Sequence, residues 1–161
     1  SGPYRGAKGS LFEGGIRVPS IVSWPGKIPQ DEVRSQMATG CDWFPTVAEY
    51  CGAKISKDRK LDGKSLVEII GNDKNPSPHK SFYWQLGNQA VVREGDWKLL
   101  LNPRDHNRPS DREPGGKLFL ANVTEDPGES RNLAKEKPEV VDRLKSLKDK
   151  FVQDLKRPKV K

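Results

Sequence analysis

The sequence predicts an α+β chain, on three observations. Four short β-prone runs follow one another after residue 80, each bounded by turn residues. An apolar stripe at helical spacing follows Pro138. A polar, proline-containing stretch over 71–80 separates these from a glycine-rich, loop-heavy first half. The expected division is therefore residues 1–76 as one part and 77–161 as a second, small antiparallel sheet packed on a C-terminal helix.

In chain order, residues 1–18 carry Gly2, Gly6, Gly9, Gly14 and Gly15, which permit close backbone approach. The run Ile16-Arg17-Val18-Pro19-Ser20-Ile21-Val22-Ser23-Trp24 predicts a strand, with Pro19 at its start or edge. Trp24-Pro25-Gly26 ends it with turn chemistry. Asp42 is placed to cap a helix reaching Tyr50 or Cys51, with Gly52 as its stop. Phe44, Val47, Ala48 and Cys51 fall on one face of that helix. A short apolar helix is expected over 66–70. The strands are expected at 82–86, 90–93, 97–101 and 117–123, with Glu94-Gly95-Asp96 as a tight turn and 102–116 as a charged loop. A last helix starts near Pro138, whose fixed φ suits a first turn. Its stripe is Val140, Val141, Leu144, Leu147, Phe151 and Leu155, ending before Pro158. Trp43, Trp84 and Trp97 are assigned to the core.

Composition narrows the class. Only 33 % of the 161 residues are hydrophobic and 32 % are charged, so the core is thin and suited to leaning on another domain. The formal charge of +7 suits an anionic partner, but the cations are spread along the chain as on an ordinary solvated surface. Aromatics at 7 % do not form an array for stacking bases, which disfavours a nucleic-acid role. No apolar run is long enough to span a membrane. The two cysteines, Cys41 and Cys51, make neither a disulfide framework nor a zinc-ligand spacing, and they leave the compartment undecided.

The stretch with chemical character is Gly6-Ala7-Lys8-Gly9-Ser10-Leu11-Phe12-Glu13-Gly14-Gly15-Ile16-Arg17-Val18-Pro19. A lysine among glycines is a cation on a backbone that can approach an anion closely. The phosphate-loop spacing is absent. Residue types alone leave two readings open, an oxyanion contact and an exposed lysine on an ordinary loop.

This stretch, followed by Trp24-Pro25-Gly26, resembles a segment of the sulfatases. The likeness continues at Asp42-Trp43-Phe44-Pro45-Thr46, at Leu61-Asp62-Gly63-Lys64-Ser65-Leu66 and at Val92-Arg93-Glu94-Gly95-Asp96-Trp97-Lys98-Leu99. It ends with Asn122-Val123, Asp126-Pro127-Gly128-Glu129 and Asn132-Leu133. Five segments in order span nearly the whole chain, and together they are specific where each alone is not. The resemblance is to the arylsulfatase type, formylglycine- and calcium-dependent, in its C-terminal portion only. Ala121 departs from the pattern, standing where the family usually has an aromatic. The loop 102–116 matches no family pattern.

The resemblance implies a tail of an alkaline-phosphatase-like α/β domain over 1–76 and a small C-terminal domain over 77–161. It implies a sulfate-ester hydrolase acting on a sulfated carbohydrate or aryl sulfate. Lys8 takes the position of the sulfate-contacting lysine, where a cation offsets charge on the sulfate oxygens. Arg17 is expected to anchor the loop through a carboxylate or carbonyl. Calcium and the formylglycine nucleophile are implied for the full-length enzyme. Neither cysteine fits Cys-x-Pro/Ala-x-Arg, however, and the metal carboxylates are missing, so metal ligands and nucleophile are expected outside this chain, which alone is inactive. The implied partners are the N-terminal catalytic part of the same protein and a sulfated small molecule or glycan. The implied compartments are periplasmic, secreted or lysosomal.

Three further residues are read as possible substrate contacts. His79 lies in the boundary stretch, and Arg104 and His106 lie in the charged loop, which mixes arginines with amide donors. Exposed surface residues are the competing reading for each. Asn122-Val123-Thr124 matches a glycosylation sequon, a short pattern that recurs by chance. Two other functions compete with the sulfatase reading. One is a non-catalytic basic module binding sulfated polyanions, and the other is a related phosphonate or phosphate monoesterase.

Overall fold

The computed structural model describes residues 2–104, 114 and 116–156. These form two compact units: residues up to Pro19 together with those from Ser81 onward, and Ser20–Lys80. The glycine-rich opening groups with the sheet rather than with the residues that follow it.

In the first unit, β1 (Ser81–Leu86), β2 (Gln89–Glu94), β3 (Trp97–Leu101) and β4 (Leu118–Asn122) form an antiparallel meander in sequence order. Pairing of Leu86 with Gln89 and of Glu94 with Trp97 leaves two-residue loops, the second opening on Gly95 at a φ of 57°. All four strands fall within a residue or two of the runs expected for them.

Both faces of this sheet are covered, which explains why Leu99-Leu100-Leu101 and Leu118-Phe119-Leu120 read as continuous apolar runs rather than as an alternation. Val91, Leu100, Phe119 and Ala121 face Leu11 and Phe12 of the glycine-rich segment. Val92, Leu99 and Leu120 face Val140, Val141 and Leu144 of the C-terminal helix Pro138–Lys156. That helix packs on one face as expected, and Phe151 continues the stripe by stacking on Tyr83 with ring centroids 5.8 Å apart. The stripe stops there, because Leu155 is 74 % exposed. Trp84 and Trp97 are half-buried against the two clusters rather than fully inside.

One predicted strand does not form. Among the described residues the run 16–24 has no ladder partner, and only its first residue is regular, closing the short helix Glu13–Ile16, here α1. Pro19 removes a donor, and Val18 and Ile21 are 81 % and 93 % exposed, so neither hydrogen bonds nor burial within this chain hold an extended pairing.

The second unit is built on hydrogen bonds more than on apolar burial. A 3₁₀ turn, Gly40–Asp42, leads into α2 (Trp43–Tyr50), and α3 (Val67–Gly71) follows. The Asp42 carboxylate, fully buried, accepts from Thr39 N at 2.7 Å and from Lys64 N at 2.8 Å, and lies 2.8 Å from His79 Nε2. Thr46 Oγ1 donates to Asp42 O and accepts from Leu66 N. These demands turn the Asp42–Thr46 side of α2 inward. The expected apolar face is therefore the outer one, with Phe44 62 % and Val47 55 % exposed and only Ala48 of that set buried. Arg34 closes the end of α3 by donating to Ile69 O and Ile70 O at 2.6 and 2.8 Å.

Candidate functional site

The loop carrying Lys8 is closed on itself. Gly14 N donates to Arg5 O at 2.7 Å and Ser10 N to Ala7 O at 2.9 Å, so the chain leaves and returns at one point. Gly15 is required where it returns: a Cβ there would sit 2.1 Å from Ser10 O. Leu11 and Phe12 pin the loop's inner side into the core. Lys8 stands exposed on the outer side.

Three residues beneath the loop were not singled out by sequence reasoning. Arg5, 1 % exposed, lies over the rings of Phe12 and Phe119 at 4.2 and 4.8 Å and donates to Glu129 O at 2.6 Å. Glu129 Oε2 accepts from Glu13 N at 2.6 Å. Lys98 Nζ, fully buried, lies 2.9 Å from Glu13 Oε1 and 3.0 Å from Glu129 Oε1. The last oxygen finds no well-directed hydrogen bond among the described residues despite that proximity. A signal for these residues was present: Lys98 is a cation at an inward position of an apolar strand, and Glu13 is an acid beside the apolar pair Leu11-Phe12. Charged groups reach such positions only when paired.

The two carboxyls are perturbed in opposite directions. Burial alone would push Glu13 up, but Lys98, then Arg93 and Arg17, outweigh it and hold it below its ordinary value. Glu129 is pushed up by burial, which Lys98 and the Glu13 N–H only partly offset, while the Glu13 charge adds to the rise. The asymmetry has a structural cause, since Arg17 and Arg93 each lie 3.6 Å from Glu13. Arg17 thus makes the carboxylate contact expected of it, and it also covers the Tyr4 ring at 4.5 Å.

Arg104 is exposed, and its backbone is tied to the Lys8 loop. Ser10 Oγ donates to Arg104 O, Arg104 N donates to Gln89 Oε1, and Gln89 Nε2 donates to Gly9 O, at 2.8, 2.8 and 3.1 Å. His79 is not the surface residue of the competing reading: it is 7 % exposed, in the second unit, with its ring on Asp42. His106 lies outside the described residues.

Calcium and formylglycine do not fit the groups present. Among the described residues no three His, Cys, Asp or Glu side chains are grouped to hold a metal ion. The buried acids Glu13 and Glu129 face Lys98, and Cys41 and Cys51 are exposed free thiols outside the modification pattern.

The family described as N-sulphoglucosamine sulphohydrolase, C-terminal, matches residues 7–157. The chain belongs to this sulfatase family. It is 33 % identical over 149 residues to a sulfatase of Formosa agariphila, covering 84 % of this chain and 26 % of that protein. It is 32 % identical over 177 residues to arylsulfatase A of Bos taurus, covering 94 % and 34 %. Among solved structures, Ps i-CgsB in complex with k-i-k-neocarrahexaose matches with a TM-score of 0.74 at 26 % identity, over 97 % of this chain and 33 % of that one. A Bacteroides thetaiotaomicron chain from work on its metabolism of multiple glycosaminoglycans matches with a TM-score of 0.68 at 28 % identity, over 93 % and 32 %. This sulfatase segment thus spans about a quarter to a third of these relatives. Its α+β architecture is the one expected, a fragment of the larger alkaline-phosphatase-like sulfatase chains. No helix among the described residues is long and apolar enough to cross a membrane.

Proposed function

We propose that this segment completes the active site of a sulfate-ester hydrolase, with Lys8 as the contact to the sulfate group. The observation that carries the reading is the closed, core-pinned loop that leaves Lys8 alone pointing outward on a rigid base. A cation fixed in advance toward a sulfate offsets charge developing on its oxygens without reorganising at the moment of reaction. Arg104, tied to the same loop through Ser10 and Gln89, is a second contact to an anionic substrate. His79 serves by holding Asp42 in the second unit rather than by meeting substrate. Residues 1–76 close the large domain and 77–161 form the small one. The nucleophile and the metal ligands, formylglycine and calcium by resemblance, belong to the remainder of the longer protein. The substrate class is a sulfated carbohydrate, in keeping with the neocarrahexaose bound by one relative and the glycosaminoglycan setting of another, and an aryl sulfate serves as the model compound. The resemblance places the enzyme in a periplasmic, secreted or lysosomal setting.

The test is Lys8→Ala in the full-length protein, assayed on an aryl sulfate and on the matching phosphate and phosphonate esters. The expected result is a loss of turnover of about a hundredfold or more, with an unchanged melting temperature. Near-normal activity would remove Lys8 from the site. Faster phosphate or phosphonate cleavage by the unmodified protein would move it to the neighbouring esterases. Salt-dependent retention on heparin with no hydrolysis at all would favour the polyanion-binding module.

A further inference from the structure

We infer that Glu129 is a positioning residue for Lys8, an assignment that rests on the reading of Lys8 as the sulfate contact. Glu129 lies over 110 residues away in sequence from the loop, yet it holds both strands of the loop's base. Its carbonyl accepts from Arg5, where the loop begins, and its carboxylate accepts from Glu13 N, where the loop ends, both at 2.6 Å. Between these two points Gly14 N closes onto Arg5 O. One residue thereby sets the spacing of the two strands from which Lys8 projects. Among the described residues its hydrogen-bond and ion-pair partners are Arg5, Glu13, Lys98 and Asp126, so an effect on Lys8 passes through the loop.

Two features mark Glu129 as held for this purpose rather than tolerated. Its backbone sits at a φ of 48°, in the left-handed region where glycine is the easy residue. Glutamate stands there although Gly128 is its immediate neighbour. Its side chain is also fully buried, and Lys98, itself buried, faces it at 3.0 Å. A simple turn between β4 and the last helix would need neither the carboxylate nor the strain.

The test is a double-mutant cycle in the full-length protein, with Glu129→Gly and Lys8→Ala read as kcat and KM on an activated aryl sulfate. Glycine suits the backbone angle and keeps the carbonyl that accepts from Arg5, so the turn is eased while only the carboxylate half of the clamp is removed. Glu129→Gly should lower kcat/KM about ten- to a hundredfold, as small misplacements of a catalytic group do. Glu129→Gln, which keeps an acceptor for Glu13 N, should recover most of it. In the Lys8→Ala background, Glu129→Gly should have no further effect, because there is nothing left to position. Equal losses in both backgrounds would overturn the assignment and leave Glu129 a stabilising residue only. If Lys8→Ala alone retains activity, the reading of Lys8 fails first, and the two failures are told apart. Should the glycine variant not fold, Arg5→Lys enters the same cycle, since it removes the forked donor from the Glu129 carbonyl.

Discussion

Glu13 and Glu129 share one lysine and are shifted to opposite sides of the ordinary glutamate value of 4.5. The consequence for stability follows from which state binds more protons. Glu13, held low, favours the folded state above its ordinary value and loses that contribution as pH falls through its lowered one. Glu129, held high, does the opposite: as pH rises from 4.5 toward its raised value, the folded state keeps a proton the unfolded chain has lost, and stability falls. Glu129→Gln removes the second effect and retains the first. The wild type should therefore lose stability relative to the Gln variant as pH is raised from about 4 toward neutrality. Denaturation midpoints of both proteins across that range measure it. A wild type that gains on the variant with rising pH would mean that Lys98 outweighs burial at Glu129. The asparagine of the glycosylation sequon can be described at the same scale. Asn122 is 8 % exposed, and its Oδ1 accepts from Thr124 N and Glu125 N, so the amide is engaged in a turn.

Among the elements, the strands and the last helix were legible because they bury their apolar groups within the chain. Short β-prone runs bounded by Gly87 and Gly95, and a stripe after Pro138, have one low-energy arrangement when both partners are present. The run 16–24 and the outer face of α2 carry equally good patterns, yet they found no partner here. Pattern reports what a segment is suited to bury, not what lies beside it. The buried ion cluster stayed hidden for a related reason: Glu13, Lys98 and Glu129 are far apart in sequence, and only the meander brings them together. The element-scale expectation concerns the helix–sheet face. Leu144 is fully buried against Val92, Leu99 and Leu120, whereas Leu155 on the same helix is 74 % exposed. Leu144→Ala should cost about 2–5 kcal/mol by chemical denaturation, and Leu155→Ala within about 0.5 kcal/mol. Similar costs for the two would show that the helix packs on another face.

At the scale of the whole molecule, a thin core and an exposed apolar surface belong to one account. Val18, Ile21 and Val33 are 81 %, 93 % and 84 % exposed, and Phe44 and Val47 more than half so. At 33 % hydrophobic residues the chain has little apolar material to leave in water, yet it leaves these. Single exposed apolar side chains need no explanation, but Ile21, Val33, Phe44 and Val47, all within Ser20–Lys80, are many for one small unit, the pattern of a surface normally covered. The family relatives are three to four times longer, so in them there is chain available to cover it. The 161 residues expressed alone should therefore self-associate and bind a hydrophobic dye, while the longer protein should do neither. Light scattering and dye fluorescence on both proteins, at matched concentration, decide it. The charge of +7 works against association at low ionic strength, so the contrast should sharpen as salt screens that repulsion. A monodisperse, dye-silent fragment at high salt would mean that these side chains are stable in water. The outward face of α2 would then be ordinary surface, and the run 16–24 an extended segment with no strand to join.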